Sequence, residues 1–207
     1  MNLTMSVLAC VSLAGAASAE FIRLDRFTGS ESVQTFSGFD MTGLGSLVDL
    51  GGGLRIENRG SGSGRAGWKA NTDWGAYFSN IAGASKRWAL ADAWGASDLL
   101  LSFDEGVDRV GFLLSTGGQT RWNIEVYDPE GELLDVGSAI MPWSQKAVFF
   151  GYEALGAGIG AVRISDSENG SITIVDDIRY ERIAVPAPGV LAALGLATLG
   201  ASRRRGR

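Results

Sequence analysis

Histidine is absent from the 207-residue chain, and cysteine occurs once, at Cys10. These absences exclude Ser-His-Asp and Cys-His catalysis, zinc sites built on imidazole or thiolate, haem and iron–sulfur ligation, and redox thiols. Cys10 lies inside an apolar N-terminal run that reads as an export signal, so the mature chain has no disulfide available. The lysines are Lys69, Lys86 and Lys146, none in a Ser-x-x-Lys arrangement, which argues against serine–lysine hydrolysis. No strong, long helical period runs through the chain. Carboxylate, hydroxyl and aromatic chemistry remain.

The charge is unevenly placed. Of 18 basic side chains, Arg203, Arg204, Arg205 and Arg207 lie in the last five residues, whereas all 23 acidic ones lie between residues 20 and 184. Setting those four aside leaves 14 basic against 23 acidic groups, a net of −9. Such a domain repels phosphate backbones, and no basic stripe offsets it, so nucleic acid is not an expected partner. No cofactor is required. A structural calcium ion suits this composition, since calcium prefers several oxygen ligands.

Both ends carry targeting signals. Leu3 to Ala16 are almost continuously apolar or small, and Ala17-Ser18-Ala19 before Glu20 gives the small-x-small pattern read by signal peptidase. Cleavage is expected after Ala19. A lipoprotein reading at Cys10 would leave too short an apolar run before the cysteine. At the other end, Val185-Pro186-Ala187-Pro188 precedes an uncharged run from Gly189 to Ser202 and then the arginine cluster. As a helix those fourteen residues span about 21 Å, short of a hydrocarbon core of about 30 Å, and snorkelling arginines narrow the gap. This order of Pro-x-Pro, apolar helix and arginine cluster resembles the PEP-CTERM sorting signal of Gram-negative bacteria, with Ala187 where the family usually has a glutamate. The resemblance implies a transient inner-membrane tether, processing by an exosortase, and release to the cell surface or the exopolysaccharide matrix. An ordinary C-terminal tail anchor is the alternative.

Residues 20–184 form the expected folding unit, between a signal peptide at 1–19 and a sorting signal at 185–207. Short β-rich runs separated by glycine-containing turns predict an all-β, jelly-roll-like sandwich. Leu99–Phe103 and Val110–Ser115 read as strands joined by a turn at Asp104-Glu105-Gly106. Trp122–Tyr127 alternates and pairs back with Glu132–Val136 across Asp128-Pro129-Glu130-Gly131. Asn169-Gly170 predicts a hairpin between Ala161–Ser165 and Ile172–Asp176. Gly51-Gly52-Gly53 and Gly60–Gly64 are loop material around a strand over Leu54–Asn58. The segments Arg109–Phe112, Val148–Gly151 and Ile174–Ile178 resemble β-sandwich ectodomains found upstream of PEP-CTERM signals.

Three kinds of site are expected. Trp68, Trp74, Tyr77, Trp88 and Trp94 crowd one stretch beside polar residues, as a sugar-stacking platform would, although aromatic rings also fill sandwich cores. Trp122 reads as core. Asp176 and Asp177 are candidate calcium ligands, and on a regular strand they would face opposite ways. Glu125 with Asp128, or Glu132 with Asp135, offer the paired carboxylates of a glycoside hydrolase, though a solvated strand face accounts for them equally. The leading expectation is a non-enzymatic matrix protein that binds carbohydrate. A purely structural surface protein and a polysaccharide-cleaving enzyme are the alternatives.

Overall fold

The computed structural model describes residues 18–27, 29–36, 45–60, 69–71, 89–91, 97–116, 120–141, 147–156, 158–166 and 173–182. Its strands, all antiparallel, are β1 (Ser18–Phe21), β2 (Ser32–Gln34), β3 (Leu47–Gly51), β4 (Leu54–Asn58), β5 (Lys69–Asn71), β6 (Ala89–Ala91), β7 (Asp98–Thr116), β8 (Thr120–Tyr127), β9 (Leu133–Met141), β10 (Val148–Leu155), β11 (Ile159–Asp166) and β12 (Thr173–Arg182). A 3-10 turn, Leu24–Arg26, lies between the first two.

The chain is an all-β sandwich whose two layers share one strand. The N-terminal half of β7 pairs with β4 and β11, giving a first layer in the order β3-β4-β7-β11-β8-β9. Its C-terminal half pairs with β10 and β12, giving a second layer in the order β1-β10-β7-β12, with β2 and β6 beyond β12 and β5 beyond β6. Val107 lies at the changeover, paired with Ile159 in one layer and Arg182 in the other. Register shifts in β11 and β12 flank it, the usual means of bending and twisting a sheet.

Two expectations are corrected here. Asp104-Glu105-Gly106 is no turn, because β7 runs extended through it and the Asp104 N–H donates to the Gly53 carbonyl at 2.8 Å. Polar residues and glycine occur there because the strand is passing between layers, where less of it faces the core. The strands around Asn169-Gly170 do exist, but they do not pair with each other: β11 and β12 take separate halves of β7. Local turn chemistry loses to the pairing offered by that long strand.

Other elements follow their residue patterns. In β8, Trp122, Ile124 and Val126 are buried while Arg121 is exposed, and β3 alternates exposed and buried throughout. The turn at Asp128-Pro129-Glu130-Gly131 closes β8 onto β9, with the Gly131 N–H donating to the Asp128 carbonyl and the Glu132 N–H to Asp128 Oδ1. Gly51, Gly52 and Gly53 all have positive φ and turn β3 into β4, a run of left-handed backbone that glycine alone adopts freely. One core joins both layers, with Leu99, Leu101 and Ile164 from the first and Val110, Phe112 and Val175 from the second fully enclosed. Trp122 is fully buried as expected, its indole N–H donating to Thr173 Oγ1 at 3.2 Å across the two layers.

The N-terminal segment straps the second layer. β1 pairs with β10, the Phe27 ring meets Phe149 edge-to-face at 5.9 Å, and β2 pairs with β12 on the far side. Space for this crossing comes from Gly111 and Gly151, which are cross-strand partners; a Cβ on Gly111 would lie 2.5 Å from the Phe149 ring and 2.8 Å from Phe27. Gln34 then ties the strap to the first layer. Its amide donates to the Leu50 carbonyl at 2.9 Å, and its Oε1 accepts the N–H of Phe36 at 2.9 Å. Phe36 is fully buried and sits at φ 55°, a conformation unusual for so bulky a residue.

Candidate functional site

Among the described residues, the outward side of the first layer is a sheet face built by strand alternation, half-buried at its centre and exposed along β9. Residues that alternate with the buried set on β11 and β8 project there, and cross-strand register lines them up in rows. One row runs Glu57, Leu100, Arg163, Glu125, Val136; the next runs Asp98, Ser165, Asn123, Ser138. Such register holds residues of neighbouring strands about 5 Å apart.

Arg163 organises the centre of this face. Its Nε and Nη2 donate to the two oxygens of Asp98 at 2.8 and 3.0 Å, and its Nη1 donates to Glu125 Oε2 at 3.1 Å. The Tyr127 hydroxyl donates to the same Glu125 oxygen at 2.9 Å. The bidentate pairing with Asp98, with Glu125 adding its charge, holds the guanidinium above its ordinary pKa. Burial, and then the Glu125 hydrogen bond, push the Tyr127 phenol upward, so it stays a donor. The result is a fixed row of polar groups spanning β7, β11 and β8.

β9 edges this row with apolar side chains. Leu133, Val136 and Ile140 are each more than half exposed, and they stand opposite Tyr127, Glu125 and Arg121 of β8. An apolar stripe thus stands beside an ordered set of hydrogen-bonding groups.

A second charged network lies on the outer side of the second layer and is structural. Arg109 donates to Glu153 at 2.8 Å and to Glu181 at 3.2 Å, and Arg26 of the strap reaches Glu153 at 2.8 Å. The Arg109 hydrogen bond, followed by that of Arg26, holds the Glu153 carboxyl below the ordinary glutamate value. Arg179 pairs with Glu31 at 3.0 Å; burial alone would raise the Glu31 pKa, but hydrogen bonds from its own N–H, from Gly29 and from Arg179 lower it. These contacts pin the strap.

Of the residues singled out in the sequence, Trp68, Trp74, Tyr77, Trp88 and Trp94 lie outside the described residues, Trp68 and Trp88 immediately preceding β5 and β6. Ala17, Val185, Pro186, Ala187, Pro188, Arg203, Arg204 and Arg205 also lie outside them. Ala19 and Glu20 belong to β1, opposite Ala154 and Glu153, and Ala19 packs against the core. Among the described residues, no helix is long and apolar enough to cross a membrane.

Asp176 and Asp177 are both buried, and the simple alternation expected of them is interrupted: Asp177 adopts φ 46° at a bulge, donating its N–H to Asp176 Oδ1 at 2.8 Å. Among the described residues, no three carboxylates converge as metal ligands. Three of the four candidate hydrolase carboxylates are engaged in hydrogen bonds. Glu125 accepts from Arg163 and Tyr127, Asp128 caps its turn, and Asp135 accepts the Val136 N–H at 2.8 Å. Sequence reasoning missed the Asp98–Arg163–Glu125 network, whose members are distant in the chain; their placement on the polar phase of three alternating strands was the available signal.

No family model matches the chain, and no curated protein does. Among solved structures it is similar to TmCBM61 in complex with β-1,4-galactotriose, at 14% identity and a TM-score of 0.42, covering 64% of this chain and 90% of that one. It is also similar to the K2 cleaved adhesin domain of Lys-gingipain, at 13% identity and a TM-score of 0.45, covering 74% and 99%. A mutant of a family 29 carbohydrate-binding module gives 15% identity and a TM-score of 0.40, covering 73% and 90%.

Proposed function

We propose that this protein is an exported surface or matrix component that binds exopolysaccharide without cleaving it. The observation that carries this reading is the outer face of the first layer, where the Asp98–Arg163–Glu125–Tyr127 network fixes hydrogen-bonding groups beside the exposed stripe of β9. Pyranose rings pair an apolar C–H face with hydroxyl edges, so the two parts of the surface match the two parts of a sugar. The Trp68–Trp94 aromatics supply further stacking surface in the same reading, and a structural calcium at Asp176 or Asp177 is compatible with it. Exosortase processing at the 185–207 signal delivers the domain to the matrix.

Two experiments test the reading. Replacing Pro186 and Pro188 by alanine should leave an unprocessed species in the membrane fraction, and unchanged processing would remove the sorting assignment. Titrating the protein with purified host exopolysaccharide should give saturable co-sedimentation without release of reducing ends. Release of reducing ends would favour the polysaccharide-cleaving alternative, and no binding the purely structural one.

A further inference from the structure

We infer that the ligand of the first-layer face is an uncharged polysaccharide, bound along an internal stretch of its chain. This rests on the polysaccharide reading above and adds the charge class and the mode of engagement.

The charge class follows from how the cations on this face are used. Arg163 is held by two carboxylates at 2.8 and 3.1 Å, Arg59 is paired with Glu57 at 2.9 Å, and Arg55 with Asp104. A face that bound an anionic polymer would present guanidinium groups outward without compensation, because affinity for such polymers comes largely from neutralising their repeated charge. Here these three cations are already compensated, and Arg121, the exposed cation opposite Ile140, is engaged as well, within a domain whose overall excess is acidic. Uronate or sulfate groups would meet repulsion, whereas hydroxyl groups lose nothing by charge.

The groups next to the network are neutral donors and acceptors. Asn123, Ser138 and Ser165 occupy one row across β8, β9 and β11, in register with one another. Directly beside them, Val136 and Ile140 are each 59% exposed, placing apolar surface against the same row. A hydroxylated ring lying across β8 and β9 sets its C–H face on Val136 or on Ile140, which flank Ser138 along β9, and its hydroxyls toward Asn123 and Ser138.

The mode of engagement follows from the geometry of the face. At about 4.8 Å between strands, the row from Asp98 to Ser138 spans about 14 Å over four strands and the row from Glu57 to Val136 about 19 Å over five, with polar residues recurring across both. A terminal sugar needs one enclosed subsite; a repeated row on an open sheet suits several successive units of an extended chain.

The test uses the full chain, purified in mild detergent, and affinity gel electrophoresis in soluble glucomannan, β-1,4-galactan or alginate, with the double variant Asn123→Ala/Ser138→Ala and the single variant Val136→Asp. These positions are partly or fully exposed, and an unchanged thermal midpoint certifies the fold. The expected result is retardation by at least one neutral polymer and none by alginate. A weakening of about tenfold is expected in either variant, the loss of about one hydrogen bond or apolar contact per site. Free monosaccharide at equal sugar concentration should compete poorly, as an internal-chain mode requires. Retardation by alginate alone overturns the inference and leaves polysaccharide binding in place. Neutral binding unchanged in both variants but lost in Trp74→Ala or Trp88→Ala overturns this face as the site. Binding to none of these polymers or to the host exopolysaccharide overturns both readings.

Discussion

Gly160 shows how one residue can matter through what it lacks. A Cβ there would lie 2.5 Å from Pro129 Cα and 2.6 Å from the Asp128 carbonyl, so its neighbours are backbone atoms of the β8–β9 turn that cannot rotate aside. Gly160→Ala is expected to destabilise the fold by about 1–3 kcal/mol, an overpacking penalty measurable by urea denaturation. Gln34 is the converse case, since its value lies in two hydrogen bonds that reach Leu50 and Phe36. Gln34→Ala should cost about 1–2 kcal/mol, because the N–H of buried, left-handed Phe36 loses its acceptor. An unchanged denaturation midpoint in that variant would show the clamp to be dispensable. Neither role is legible in the sequence, which marks Gly160 as one glycine among 30 and Gln34 as an ordinary polar residue. Trp122 was legible, because its alternation with Ile124 and Val126 fixes the face it shares.

At the scale of elements, the strap and the long strand carry the unexpected features. The strap is fastened through Glu153, whose folded pKa is lowered mainly by the Arg109 hydrogen bond and then by Arg26. Its contribution is therefore present above the unfolded glutamate pKa of about 4.3 and is lost as pH falls through the lower folded value. The thermal midpoint should decline below about pH 4, and Glu153→Gln should flatten that decline while lowering stability at neutral pH. An acid profile identical to that of the parent would mean the pair does not stabilise the strap. The continuity of β7 is not legible in the sequence, since the polar residues at 104–106 have the composition of a turn and only the pairing on both sides keeps them extended. The turn at Asp128–Gly131 is legible in the sequence, because its chemistry is complete within four residues. The three segments that resemble sandwich ectodomains, Arg109–Phe112, Val148–Gly151 and Ile174–Ile178, fall on β7, β10 and β12, which are neighbours in the second layer.

For the molecule as a whole, sharing β7 between layers predicts cooperativity. Both halves of the core depend on one strand, so tryptophan fluorescence and far-ultraviolet circular dichroism should give coincident urea transitions. Separate transitions would mean that the layers unfold independently. The sequence by itself determined the all-β class, the chemistry excluded by missing histidine and cysteine, and the expectation of export and sorting, because composition, period-2 alternation and linear signals are local properties. The tertiary structure decided which strands pair, that one strand serves two layers, and that Asp98, Glu125 and Arg163 meet on one face. Those outcomes depend on non-local strand pairing, in which register and layer are settled by contacts between residues as far apart as Glu31 and Arg179, 148 positions, and no local pattern encodes that choice.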